Sequence, residues 1–171
     1  MKLADDVYLI GSGSNGMNMT DPYDCHIYLL DGGDEIAVID IGAGLNLEAI
    51  YENIVNNGFS LNDIDYLILT HAHADHSGGA KKFVDKTGAK VIASKKTAEY
   101  LQNGDEAAIS LQKAKEAGIY PLDYRSESCP VDWTVQEGDV VSVGNYSLKV
   151  IETPGHSGDH ISFITESKHK T

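Results

Sequence analysis

Three of the seven histidines, His71, His73 and His76, fall within six residues, with Asp75 beside the last. Imidazole nitrogens and carboxylate oxygens are the donors that zinc and related ions take from proteins. Two residues apart on an extended segment, His71 and His73 point to one side and offer two ring nitrogens to a single ion. Asp75 and His76 lie one step further along a curved loop, placed for a neighbouring ion. A catalytic zinc normally keeps about three protein ligands and one open position for water, so a further ligand must come from elsewhere. His156 is the best candidate, because Thr153-Pro154-Gly155-His156-Ser157-Gly158 again follows a strand and carries glycines that allow close approach. The expected metal ligands are therefore His71, His73, Asp75, His76 and His156. His26 and His169 stand alone in the sequence and read as histidines that fill a gap or cap a loop.

Those side chains need strand ends to carry them. Val7–Ile10, His26–Leu30 and Ile36–Ile41 alternate as strands, and Asp31-Gly32-Gly33-Asp34 supplies a hairpin turn between the last two. The glycine- and asparagine-rich stretch between the first two reads either as the border of a pocket or as a surface excursion. From Asn46 to Asn57 the apolar period changes to that of a helix, with Asn46 as cap and Gly58 as stop. The strand Tyr66–Thr70 runs into the histidine cluster, followed by a helix over Ala80–Lys86 and a strand over Lys90–Ala93. Asn103-Gly104-Asp105 breaks the next stretch into two helices. Trp133–Gly138, Asp139–Val143 and Tyr146–Glu152 read as successive antiparallel strands, and Ile161–Thr165 as a last one.

Composition narrows the function. Thirteen basic against twenty-six acidic residues give a net charge of −13, with Arg125 the only arginine, which argues against a nucleic-acid partner. No apolar stretch is long enough to span a bilayer and the amino terminus lacks a secretory pattern, so a cytoplasmic protein without a membrane partner is expected. Cys25 and Cys129 have no CxxC spacing and read as two isolated thiols.

The run His71-Ala72-His73-Ala74-Asp75-His76-Ser77-Gly78-Gly79 resembles the signature of the metallo-beta-lactamase superfamily, in its glyoxalase II-like branch. Thr153-Pro154-Gly155-His156-Ser157 resembles that family's next ligand loop, and Ala37-Val38-Ile39-Asp40-Ile41-Gly42-Ala43 the strand and turn beneath its metal centre. The resemblance implies an α+β fold, an αββα sandwich, over one domain at 1–171. It also implies one or two ions, zinc first, with iron or manganese as alternatives. His71, His73 and His156 resemble the ligands of the first site, and Asp75 and His76 the start of the second. Asp75 is implied as the catalytic group that orients or shares the attacking water. Asp40 and His160 are implied as residues that support the ligands from behind, and the alternative for Asp40 is a carboxylate that caps the Gly42 turn.

Family enzymes usually continue with further ligands after the loop of His156, whereas this sequence stops at Thr171. The expectation is a sandwich truncated in its second half, the N-terminal half to two thirds of the domain, compensated by a homo-oligomer or by strand exchange. The implied activity is metal-dependent hydrolysis of a small-molecule ester, thioester, lactone or amide. The alternatives are a noncatalytic metal-binding or assembly half-domain, and an iron-dependent sulfur dioxygenase-like or phosphodiesterase activity.

Overall fold

The alternating segments at the start of the chain become β1 (Val7–Gly11), β2 (Ile27–Asp31) and β3 (Ile36–Ile39), paired antiparallel in sequence order. The structure, a computed structural model, describes residues 1–167; His169 lies outside them. In the turn between β2 and β3 the Gly33 N–H donates to the Asp31 carboxylate over 2.9 Å, and Gly33 takes the left-handed φ of 89° that a side chain would resist.

α1 (Leu47–Asn56) starts where Asn46 accepts the Ala49 N–H, and it buries Leu47, Ile50 and Ile54. β4 (Tyr66–Ile68) then adds parallel to β3. The chain turns through α2 (Ala74–Ser77) and α3 (Ala80–Thr87) into β5 (Lys90–Ser94), parallel to β4. α4 (Lys95–Asn103) and α5 (Leu111–Glu116) are separate helices, with Gly104 at φ 60° where the sequence predicts the break.

β6 (Trp133–Val135) departs from expectation. It does not begin an antiparallel meander but pairs parallel with β5 at the edge of the first sheet. Asp132 fixes it there: its N–H donates to Val91 O over 3.0 Å and its carboxylate accepts the Val91 N–H over 2.9 Å. The first sheet thus has six strands in the order β1 to β6.

β7 (Val140–Val143), β8 (Tyr146–Glu152) and β9 (Ile161–Ser167) form a second, antiparallel sheet. Leu30, Ala37, Ile68 and Ile92 of the first sheet pack against Val141, Val143, Leu148 and Val150 of the second. The opposite face of the first sheet is covered by α1, α3 and α4 through Ile50, Ile54, Phe83 and Leu101, all at most 2% exposed. Each such side chain contributes about 1.5–3 kcal/mol of apolar burial.

The α+β sandwich is as expected and its expected truncation is corrected, but among the described residues every helix precedes β6, so the helical layer expected outside the second sheet is not seen. The strands that follow the helices do build a second sheet and lay it on the first.

The sheets are also joined by hydrogen bonds at the edge where the histidines gather. The Ile161 N–H, at the start of β9, donates to Thr70 O just past β4 over 2.9 Å. The loops carrying His71 and His156 are thereby held side by side, although they are more than eighty residues apart in sequence.

Candidate metal centre

Thr70 begins the site. Its N–H and its hydroxyl both donate to Asp40, each over 2.8 Å. Having given its only proton to Asp40, the Thr70 oxygen can only accept from His71 Nδ1, 3.0 Å away. That fixes the proton of His71 on Nδ1 and leaves Nε2 as a bare lone pair. His71 is fully buried, and among the described residues its Nε2 is the one buried side-chain nitrogen or oxygen without a hydrogen-bond partner. Burial, followed by the neighbouring His76 and His73, pushes its pKa down to about 3, so the ring stays neutral.

His73 and His156 complete a triangle around that nitrogen. His73 Nδ1 and His156 Nε2 are 3.1 Å apart, and ligand atoms of all three histidines lie within 4.8 Å of one another. Atoms bonded to a tetrahedral zinc at about 2.0–2.1 Å sit about 3.3 Å apart, so the spacing fits such an ion. Burial also lowers the pKa of His73, with His156 adding to the effect. A buried lone pair aimed at two imidazoles with nothing to accept from is the environment a cation satisfies.

A second group lies alongside. The His76 ring is 4.0 Å from that of His71, its Nδ1 bonds Asp40 Oδ2 over 2.8 Å and its Nε2 faces Asp75 Oδ2 at 3.3 Å. Burial alone would lower the His76 pKa, but the bonds to Asp40, Asp75 and Cys25 outweigh it and hold the ring protonated. For Asp75, desolvation is likewise outweighed by His76, and the carboxyl lies below its ordinary range. Cys25, Asp40 and His76 also bring ligand atoms within 4.8 Å of one another. Cys25 has no sequence signal, because its partners come from strand ends far along the chain; burial raises its thiol pKa to about 11. Both cysteines are free, as isolated thiols should be.

Asp40 does not cap the Gly42 turn. That role falls to Asp24, which accepts the Ala43 N–H over 2.8 Å, while Asp40 braces His76 and Thr70 instead. His160 stands behind the first triangle, its ring 4.9 Å from that of His71 and its Nδ1 2.7 Å from Thr153 Oγ1.

Asp159, which the sequence leaves without a role, ties the ligand loops together. It is 4% exposed and accepts the Ala72 N–H between His71 and His73 over 2.9 Å, the Thr97 hydroxyl over 2.8 Å and the Ser157 hydroxyl next to His156. Burial would raise its pKa, yet these three bonds bring it below the ordinary value. Past the cluster, a Cβ at Gly78 would run into the Tyr124 hydroxyl and the Ala74 carbonyl, which explains why no side chain is carried there.

A cavity of 320 Å³ opens on His73 and Asp75, and its rim includes Ser12, Asn15, Tyr23 and Asp24 from the glycine-rich stretch after β1. Of the two readings of that stretch, the border of a pocket is the one observed.

A two-sheet α+β sandwich with a His71-His73-His156 triangle beside a second acidic and imidazole group defines a metal-binding class of protein. A sequence model of the metallo-beta-lactamase superfamily matches residues 20–169, and the chain belongs to that superfamily. Among curated relatives, a hydroxyacylglutathione hydrolase of Rhodopseudomonas palustris strain BisB18 is 32% identical over 137 residues, which are 80% of this chain and 42% of that protein. A protein of Methanocaldococcus jannaschii named as a probable metallo-hydrolase is 32% identical over 146 residues, 85% of this chain and 64% of its own length. Among solved structures, GOB-18, a metallo-beta-lactamase from Elizabethkingia meningoseptica, superposes with a TM-score of 0.78 at 28% identity, over 99% of this chain and 56% of that one. BJP-1, a subclass B3 metallo-beta-lactamase of Bradyrhizobium japonicum, gives a TM-score of 0.77 at 26% identity, over 99% and 58%.

The match thus runs across nearly the whole of this chain, which corrects the expectation of an N-terminal fragment of the fold. The chain spans between 30% and 64% of the length of the eight curated relatives compared.

Proposed function

We propose that the protein is a metal-dependent hydrolase acting on a small-molecule ester, thioester, lactone or amide. The observation that carries this reading is the unpartnered, buried Nε2 of His71, aimed at the His73–His156 pair beside an open cavity. His71, His73 and His156 would hold the first ion, zinc by the chemistry of three imidazoles. Asp75 and His76 would hold a second once the ion displaces the proton on His76 Nε2, with Asp40 orienting the ring through Nδ1. When bound, such an ion supplies a water of lowered pKa and polarises a carbonyl oxygen.

The chain's own residues do the rest. Thr70 keeps His71 in the tautomer that presents Nε2, and Asp159 holds the two ligand loops in register. Asp75 faces the cavity with its side chain 39% exposed and ionised, placed to orient a water and accept its proton at Oδ2. The substrate is a small molecule rather than a nucleic acid, in keeping with the net charge of −13. The two free thiols suit a cytoplasmic setting. No helix among the described residues is long and apolar enough to cross a membrane.

The test is turnover of simple thioesters and esters by the zinc-loaded chain, beside a His71→Ala/His73→Ala variant shown by circular dichroism to be folded. Loss of bound zinc and of turnover together is the expected result. Equal turnover by the folded double variant, or none by a chain carrying its zinc, would overturn the proposal.

A further inference from the structure

The cavity on His73 and Asp75 is built from two kinds of wall. One is apolar: Ile109, Leu111, Ile119 and Tyr120, from the segment between α4 and β6, with Tyr23 packed on Tyr120 at 5.2 Å between ring centroids. Ile119 is 53% exposed and Tyr23 36%, so apolar surface is left open beside a concave site, where it has a use only if something packs on it. The other wall is polar, with the imidazoles of His26 and His73 and two carboxylates. Asp75 is one. Asp24 is the other, 6% exposed and held by the Thr20 hydroxyl and the Ala43 N–H.

Among the described residues no lysine or arginine lines this cavity. The nearest contrast within the fold is a separate cavity of 340 Å³ lined by Lys95, Lys96 and Gln136. It contains none of the candidate ligands but adjoins them, with Pro154, Gly158, Asp159 and His160 in its wall. Lys96 is in any case turned to the Gly158 carbonyl, 3.2 Å away. A carbonyl compound seated at the metal ligands extends its remaining groups along Tyr120, Ile119 and Ile109, beside Asp24. An anionic substituent at that end, away from the ions at His73 and Asp75, meets apolar side chains and Asp24 with no lysine or arginine to pair it, and burying it unpaired is costly.

Resting on the hydrolase reading above, we infer that the substrate is a compact ester, thioester, lactone or amide whose acyl part is apolar and uncharged or cationic. Substrates with a carboxylate on that part are discriminated against. A volume of 320 Å³ lies at the small end of ligand cavities, which run from about 300 to 1,000 Å³. One ring or a branched aliphatic group fits this wall.

The test compares size-matched thioesters bearing a neutral phenyl, a trimethylammonium or a carboxylate group on the acyl part, assayed with the zinc-loaded full chain. The expected result is a kcat/KM at least about tenfold lower for the carboxylate than for the neutral compound. Ile119→Lys, at a half-exposed position that tolerates the change, should narrow that ratio. A carboxylate thioester turned over as well as the neutral one overturns the inference.

Binding separates this inference from the hydrolase proposal. Chemical-shift changes at Tyr23 and Tyr120 are followed while phenylacetamide and its carboxylate-bearing counterpart are titrated into the same protein. Tighter binding of the neutral amide supports the inference even where no thioester is hydrolysed. Binding of neither, or tighter binding of the anion, overturns it.

Discussion

Replacing Asp159 with alanine tests how the ligand loops are held. The carboxylate accepts from Ala72 N, Thr97 Oγ1 and Ser157 Oγ. The three losses are unequal. Thr97 keeps Ser94 Oγ at 2.9 Å as a partner, and Ser157 lies next to exposed Gly158 and can turn to water. The Ala72 N–H, in a residue 1% exposed, is left with no acceptor. An orphaned buried donor costs about 1–3 kcal/mol, and the lost bond from Thr97 adds about 1 kcal/mol, so the metal-free variant should lose about 2–4 kcal/mol in urea denaturation.

Because Ala72 sits between two ligands, zinc affinity should fall as well, by about 10–100-fold in a chelator competition. Asp159→Asn, which keeps an oxygen for Ala72, should recover much of both effects. A stability loss under about 1 kcal/mol together with zinc affinity within about twofold of the parent would refute the idea that Asp159 braces the loops.

Gly78→Ala forces a methyl group against Tyr124 and Ala74, and should cost about 2 kcal/mol, read as a fall in Tm of about 4–8 °C. Leu148→Ala opens a hole between the sheets, where Leu148 is 1% exposed; the expected loss is about 2–5 kcal/mol, and a smaller one would mean the second sheet packs loosely. Burial would raise the Glu106 pKa, but the 2.7 Å pair with Lys115 and the Ser126 N–H outweigh it and lower the value. Its contribution to stability is therefore present above the unfolded value of about 4.5 and lost as pH falls through the lower folded one. Glu106→Gln should flatten the acid limb of a stability–pH curve, and an unchanged limb would count against the pair.

Much of the candidate site was legible because His71, His73, Asp75, His76 and His156 sit in two short motifs, each marked by strand-end and glycine spacing that a sequence displays directly. Cys25, Asp24 and Asp159 were not, since each acts through contacts that folding brings together and carries no motif of its own. Asp159 shows this best: its partners are Ala72 after β4, Thr97 in α4 and Ser157 in its own loop. The alternation in Trp133–Val135 revealed a strand but not its sheet, because period two describes faces and says nothing of neighbours. The same gap lay behind the expected truncation. Strands counted along the chain did not reveal that three of them suffice to cover Leu30, Ala37, Ile68 and Ile92.

The first ligand triangle draws on both sheets, with His71 and His73 after β4 and His156 before β9. An ion held there acts as a removable staple, closing a loop across the 83 positions between His73 and His156. In the chain-entropy treatment of crosslinks a loop of that length is worth about 4–5 kcal/mol against the open chain. Mechanical strength of the sandwich thus becomes a function of metal supply: amides of β7, β8 and β9 should exchange with solvent more slowly when zinc is present, and a chelator should loosen that sheet before the helices covering the other face.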